Sequence, residues 1–143
     1  MTTIEENRIM GIDFGRKRIG ISLSDPLKTF AYSYMTIQND NSKFDELKKI
    51  IDEKSVVTIV LGIPNENRHS KTSIVDDVKK FKIELEAKFN IEVILWDETY
   101  TSVIAEQKIL ESVTSKKKRQ NKSLLDMNSA SIILQEYLDS QKH

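Results

Sequence analysis

Residues 8–24 read RIMGIDFGRKRIGISLS, and two periodicities meet in that stretch. Ile9, Met10 and Ile12 form a nearly continuous apolar run into Asp13, Phe14 and Gly15, the pattern of a buried strand closing in a turn. Past the basic turn of Arg16, Lys17 and Arg18, the apolar residues Ile19, Ile21 and Leu23 alternate with Gly20, Ser22 and Ser24, so the next segment is a strand with two unlike faces. Connections this short make neighbouring strands antiparallel. A turn at Asp25 and Pro26 leads into a third extended segment, Phe30 to Ile37, and completes a three-stranded meander.

Downstream the pattern changes to crossovers. Phe44, Leu47, Ile50 and Ile51 fall at helical spacing behind Ser42, a candidate cap, and Val56 to Leu61 is then a continuous apolar run of buried-strand type. A longer helix is indicated by Ile74, Val78, Phe81, Leu85 and Phe89, followed by an apolar strand over Ile91 to Trp96. Val103, Ile109, Leu110 and Val113 suggest another helix, a lysine-rich loop follows, and Leu124 to Leu138 forms a last amphipathic helix. The expected fold is α/β: a five-stranded mixed sheet, the antiparallel meander plus two parallel strands, flanked by helices in a single domain over residues 1–143.

With 143 residues the chain has the usual size of one domain, and a domain of about 150 residues buries roughly 68–70% of the surface its unfolded form exposes. Apolar residues make up 38% and charged residues 31%, with 22 basic and 22 acidic side chains, which excludes a disordered polyelectrolyte. Zero net charge also means that any attraction to nucleic acid must come from a local basic patch. The absence of cysteine removes disulfides, thiolate metal sites and a cysteine nucleophile. Carboxylates, His69 and His143 remain as metal-ligand candidates, and oxygen ligands point to Mg2+ or Mn2+. The polar, acidic start MTTIEENRIMG and apolar stretches no longer than a strand predict a cytoplasmic protein without a membrane span.

Three carboxylates stand out by position. Asp13 closes the most apolar strand, where an unpartnered carboxylate is costly, although a turn-forming Asp accounts for it equally well. Asp97 and Glu98 follow the last apolar strand, at the end where open sheets place ligands. An acid pair at a helix N-terminus is the alternative, and it suits Asp97 better than Glu98. Asp126 shares a helical face with Ser129, Ala130, Ile133, Leu134, Tyr137 and Leu138, so an acid heads a buried stripe and calls for a compensating cation. Three acids from two strands and a helix suit phosphoryl chemistry on two divalent ions about 3.5–4 Å apart, and magnesium accepts such a sparse carboxylate set.

The segments IDFGRKRIGISLSD from Ile12, LGIP from Leu61, DETYTS from Asp97 and LLDMNSASIILQEYLD from Leu124 together resemble the YqgF family, also called RuvX. The resemblance implies a ribonuclease-H-like fold similar to that of the RuvC resolvase. It also implies a nuclease, acting either in 5′-end maturation of the small-subunit rRNA precursor or as a Holliday junction resolvase. By motif position it carries Asp13, Glu98 and Asp126 over as catalytic metal ligands. Two departures are visible: Thr99 stands where many relatives have an arginine, and Asn65 to Thr72 lacks the glycine common in the loop after LGIP.

Lys116, Lys117, Lys118, Arg119 and Lys122 precede the Asp126 helix and are the first candidates for phosphate-backbone contact, with Arg16, Lys17 and Arg18 second. Solvated loops account for such runs as well. The expected partners are precursor rRNA or branched DNA, with ribosomal particles besides, and the chain is expected as a monomer or an isologous homodimer. One rival reading is an actin-like ATPase, which needs a second lobe that 143 residues do not supply. The other is a non-catalytic RNA-binding assembly factor, for which a negative pocket facing a polyanion has little use unless metal fills it.

Overall fold

The computed structural model describes residues 6–64, 73–98 and 122–142, with residue 73 and residues 122–128 described by their backbone. Five strands form one sheet: β1 (Arg8–Phe14), β2 (Arg18–Ser24), β3 (Ala31–Gln38), β4 (Val56–Ile63) and β5 (Glu92–Asp97). Their order is β3-β2-β1-β4-β5. The meander β1-β2-β3 is antiparallel, whereas β4 runs parallel to β1 and β5 parallel to β4. Helices α1 (Lys43–Lys54) and α2 (Ser73–Phe89) provide the crossovers, and α3 (Lys122–Ser140) closes the described chain.

The pleat divides the core in two. Met10 and Ile12 of β1, the alternating Ile19, Ile21 and Leu23 of β2, and Ile59 and Leu61 of β4 meet Leu47 and Ile50 of α1 and Val78, Phe81 and Leu85 of α2. Ile9 and Val60 face the other way and pack on Ile133, Leu134 and Leu138 of α3. The sheet is therefore covered on both faces, as its continuous apolar strands require.

On the α3 face the strands carry small residues, and this sets how close the helix lies. The Ser22 Oγ donates to the Ala130 carbonyl oxygen at 2.8 Å. A Cβ added at Gly11 would meet the Ser22 Oγ, and would lie 2.7 Å from the Leu134 Cβ and 2.9 Å from the Ala130 oxygen. Only a hydrogen fits there.

Several boundaries differ from those read off the sequence. β3 begins at Ala31 rather than Phe30, because the Asp25 carboxylate accepts the N–H groups of Thr29 and Phe30 at 2.7 and 2.8 Å and holds both in the turn. Ser42 does occupy the N-cap of α1, yet its hydroxyl makes no cap bond and donates instead to the Asp40 Oδ1 at 2.6 Å. β4 continues past Leu61 through Gly62 and Ile63, paired with Trp96 and Asp97. Lys122, assigned by pattern to the basic loop, is the first residue of α3. The helix expected around Val103 to Val113 and the run Lys116 to Arg119 lie outside the described residues.

Candidate active site

The site is built by strand ends and pleat. Asp13 sits within the β1 ladder, opposite Gly20 of β2, so it is a strand residue and not a turn former. It occupies the same face as Ile9 and Gly11, the face turned to α3. Beyond the last β5 residue, Glu98 still donates its backbone N–H to the Ile63 carbonyl at 3.0 Å. The alternation therefore carries on, and Glu98 falls on the face of Trp96, which packs against α3.

Asp13 and Glu98 lie on strands separated by β4, two strand spacings or about 9–10 Å apart in backbone. Their side chains nevertheless meet in a hydrogen bond. Gly62 explains how. The register pairs Ile12 with Leu61 and Gly62 with Trp96, which puts Gly62 between the two acids. A Cβ at Gly62 would collide with the Glu98 Oε2 and the Ile133 Cδ1. The missing side chain of the middle strand is the space in which the carboxylates join.

Electrostatics follow from that geometry. Burial pushes the Glu98 carboxyl up to about 7; the hydrogen bond from Asp13 opposes the shift and the charge of exposed Asp97 adds to it. Two carboxylates in hydrogen-bond contact require a shared proton or a cation between them. Asp13 and Glu98 are hard oxygen donors and could hold magnesium or manganese, the ions that such donors select. Among the described residues no group of three or more ligand-type side chains is assembled.

Position 126 lies in the first turns of α3, one turn before Ala130, and the side chain of Asp126 is outside the described residues. The course of α3 fixes where that turn lies. The C-terminal half of α3 lies at the Ile9 end of the sheet, where the Gln135 Oε1 accepts the Ala31 N–H at 2.8 Å, Ala31 pairs with Ser24 and the Ser24 Oγ accepts the Ile9 N–H, whereas the Ala130 carbonyl lies by Gly11 further along β1. The helix thus runs antiparallel to β1, and the turn carrying position 126 extends about 6 Å beyond Ala130 toward the Asp13 end of the strand.

The basic candidates divide. Arg16 pairs through its Nε with the Asp77 Oδ2 at 3.3 Å, joining the β1-β2 turn to α2 on the other side of the sheet. Lys17 is exposed and Arg18, the first residue of β2, is half-buried. Lys116, Lys117, Lys118 and Arg119 lie outside the described residues, as do Thr99 and His69, and the side chain of Lys122 with them. The structure also brings in residues that pattern reading passed over. Gly62 is one, and the signal for it was an isolated glycine inside an apolar strand. Trp96 is the other: its Nε1 donates to the Glu136 Oε1 at 3.2 Å and its ring meets Tyr137 edge-on at 5.7 Å, bracing the end of β5 against α3.

Comparison with known proteins agrees with this architecture. The chain is similar to RuvC of Thermus thermophilus in complex with a Holliday junction substrate, with a TM-score of 0.57 at 9% identity over 94% of this chain and 96% of the other. It is similar also to the fowlpox virus resolvase in its Holliday junction complex, at 0.57 and 14% identity over 95% and 99%. These likenesses establish the ribonuclease-H-like fold. Sequence relatives carrying the provisional name pre-16S rRNA nuclease include one from Listeria monocytogenes, 36% identical over 93% of this chain and 98% of its own length. Another, from Clostridium botulinum, is 39% identical over 93% and 97%. The family model RuvX, described as Holliday junction resolvase, matches residues 7–140, and the chain belongs to that family.

Proposed function

We propose that the protein is a divalent-metal-dependent nuclease that hydrolyses phosphodiester bonds in the precursor of the small-subunit rRNA, with Asp13, Glu98 and Asp126 as its catalytic acids. The observation that carries this reading is the meeting of Asp13 and Glu98 across Gly62. A fold gains nothing from pressing two acids together in a partly buried place, so the arrangement is explained by a cation that both bind. The relatives named for pre-16S rRNA support the choice of substrate.

Asp13 and Glu98 would hold the ion from two strands, and Asp126, on the first turns of α3, would be the third ligand. When bound, Mg2+ or Mn2+ supplies activation of water and stabilisation of the leaving oxygen. Glu98 must release its proton to act as a ligand, so its raised pKa makes metal affinity climb with pH up to about 7. Asp97 keeps the surrounding potential negative from its exposed position and so strengthens attraction for a cation. Arg16, Lys17 and Arg18, at the β1-β2 turn beside Asp13, contact the substrate backbone, and the basic residues Lys116 to Arg119 with Lys122 contribute from the chain before Asp126.

The test is metal-dependent cleavage of labelled precursor rRNA, with a four-way DNA junction alongside, by the purified protein and by Asp13→Asn, Glu98→Gln and Asp126→Asn. Cleavage of the RNA that falls at least 100-fold in each variant is the expected outcome. Selective cutting of the junction would replace the substrate, and equal cutting by all the variants would refute the acid site.

A further inference from the structure

The β1-β2 turn carries cations, yet packing does not set its place: Gly15 has no side chain, and Arg16 and Lys17 are both exposed. Asn39, the half-buried residue after β3, fixes it instead. Its Nδ2 donates to the Gly15 carbonyl at 2.8 Å, and its backbone N–H donates to the Lys17 carbonyl at 3.0 Å. The second bond extends the β2-β3 ladder one step past the pairing of Arg18 with Gln38. Together the two bonds close on either side of Arg16 and Lys17. At the base of the turn a Cβ on Gly15 would stand 2.5 Å from the Arg18 carbonyl oxygen, so the chain is already tight there. Asn39 has a firm footing of its own. The carboxylate of the next residue, Asp40, accepts the Ser42 N–H and hydroxyl at 2.9 and 2.6 Å, and its carbonyl accepts the Lys43 N–H at 3.1 Å, which ties this segment to the start of α1.

We propose that Asn39 is a positioning residue for nucleic-acid binding: by holding the carbonyls of Gly15 and Lys17 it fixes the turn so that Lys17 meets a phosphate of the strand that lies at Asp13. The proposal rests on the reading of this turn as a substrate contact and deepens it, because it makes the affinity depend on a neutral amide outside the turn. Asp13 stands two residues before Gly15, so the turn borders the acid pair along the chain. Arg16 leans toward α2 through its pair with Asp77, and Lys17 is therefore the turn cation assigned to the phosphate. A lysine on a loose turn must be ordered together with its backbone when phosphate binds, and that ordering opposes association. On a clamped turn only the side chain remains to be ordered. The chemistry also selects asparagine, since a carbonyl oxygen requires a donor and the amide supplies one without placing a negative charge beside a phosphate.

The experiment is a double-mutant cycle between Asn39 and Lys17, read by fluorescence anisotropy of a labelled single-stranded oligoribonucleotide in EDTA so that no metal-dependent cutting intervenes. Asn39→Ala and Lys17→Ala each weaken binding about fivefold, and the double variant is weakened about fivefold as well, because all three lose the same phosphate contact. For the same reason the slope of log Kd against log salt becomes shallower by about 0.7 in each, a readout that a packing defect alone would not move. Asn39→Leu, similar in size and without the donor, matches Asn39→Ala. Gln38→Ala, at the exposed neighbour in β3, stays within about twofold of wild type. Circular dichroism and melting confirm that each variant is folded. In cleavage assays Asn39→Ala raises KM about fivefold and leaves kcat within about twofold. The proposal is overturned if the losses multiply to about 25-fold in the double variant, if Asn39→Ala and Asn39→Leu bind as wild type does, if Gln38→Ala binds as weakly as they do, or if the RNA is not bound at all. A protein that cleaves no RNA but shows the coupling keeps the role of Asn39 and loses the nuclease, and one that cleaves RNA with independent losses at Asn39 and Lys17 does the reverse.

Discussion

Gly62 is the residue on which the acid pair depends, because Asp13 and Glu98 reach each other only over a strand position without a side chain. Gly62→Ala places a methyl group where the Glu98 Oε2 and Ile133 Cδ1 now lie. Overpacking of this kind costs about 1–3 kcal/mol, and the displaced carboxylate should lower cleavage at least tenfold in a protein that circular dichroism shows to be folded. Glu98 itself makes a prediction about pH. Its folded pKa is raised from 4.5 to about 7, so the native state holds the proton more tightly than the unfolded chain. The resulting stability is present below pH 4.5 and lost as pH rises through about 7. Metal-free protein should therefore lose on the order of 2 kcal/mol between those values. Glu98→Gln should abolish that decline in denaturant titrations and be the more stable protein at pH 8; a wild-type curve as flat as the variant's would contradict it.

At the scale of elements, the site is a consequence of how closely α3 lies on the sheet. Gly11 and Ser22 below and Ala130 above leave no room for larger side chains, and the Ser22 hydroxyl fixes the contact at 2.8 Å. Ala130→Leu should lift the N-terminal half of α3, costing about 1–3 kcal/mol. It should also reduce cleavage more than its stability loss explains, because the turn carrying position 126 moves with the helix. Ile83→Ala, on the solvent side of α2 with 65% exposure, should stay within about 0.5 kcal/mol of wild type. Equal stability losses in the two variants would show that the contact between α3 and the sheet at Ala130 is loose enough to admit a larger side chain.

For the whole molecule, metal binding should be visible without catalysis. Trp96 is the single tryptophan, two residues from Glu98 and packed on Glu136 and Tyr137 of α3. A magnesium or manganese titration should therefore change its fluorescence. At 100 times the dissociation constant the ion should stabilise the native state by about 2.7 kcal/mol, or roughly 5–11 °C in melting temperature for a domain of this size. Asp13→Asn should lose both responses. A fluorescence change retained in that variant would place the ion elsewhere. Among the described residues no helix is long and apolar enough to cross a membrane.

Much of the fold is legible from the residues alone, because each element rests on a short-range pattern. The apolar run of β1, the alternation of β2 and the helical spacing of α2 each report one burial environment, and the crossovers then dictate parallel strands. The positions of Asp13 and Glu98 at strand ends are equally local facts. Their contact is not, since it depends on strand order, on a register that sets Gly62 between them, and on a glycine whose role is to be empty. The separation of Arg16, paired with Asp77 on the α2 side, from the acid pair on the α3 side is likewise set by the pleat. The reach of Asn39 to the Gly15 carbonyl, 24 positions away in the chain, is set by the pairing of β3 with β2. Sequence determined the described strands and helices and singled out Asp13 and Glu98 by their places at strand ends, because those features follow from neighbours along the chain. Tertiary structure decided which of them touch, because the distance between strands and the face of each side chain arise only when the sheet is assembled.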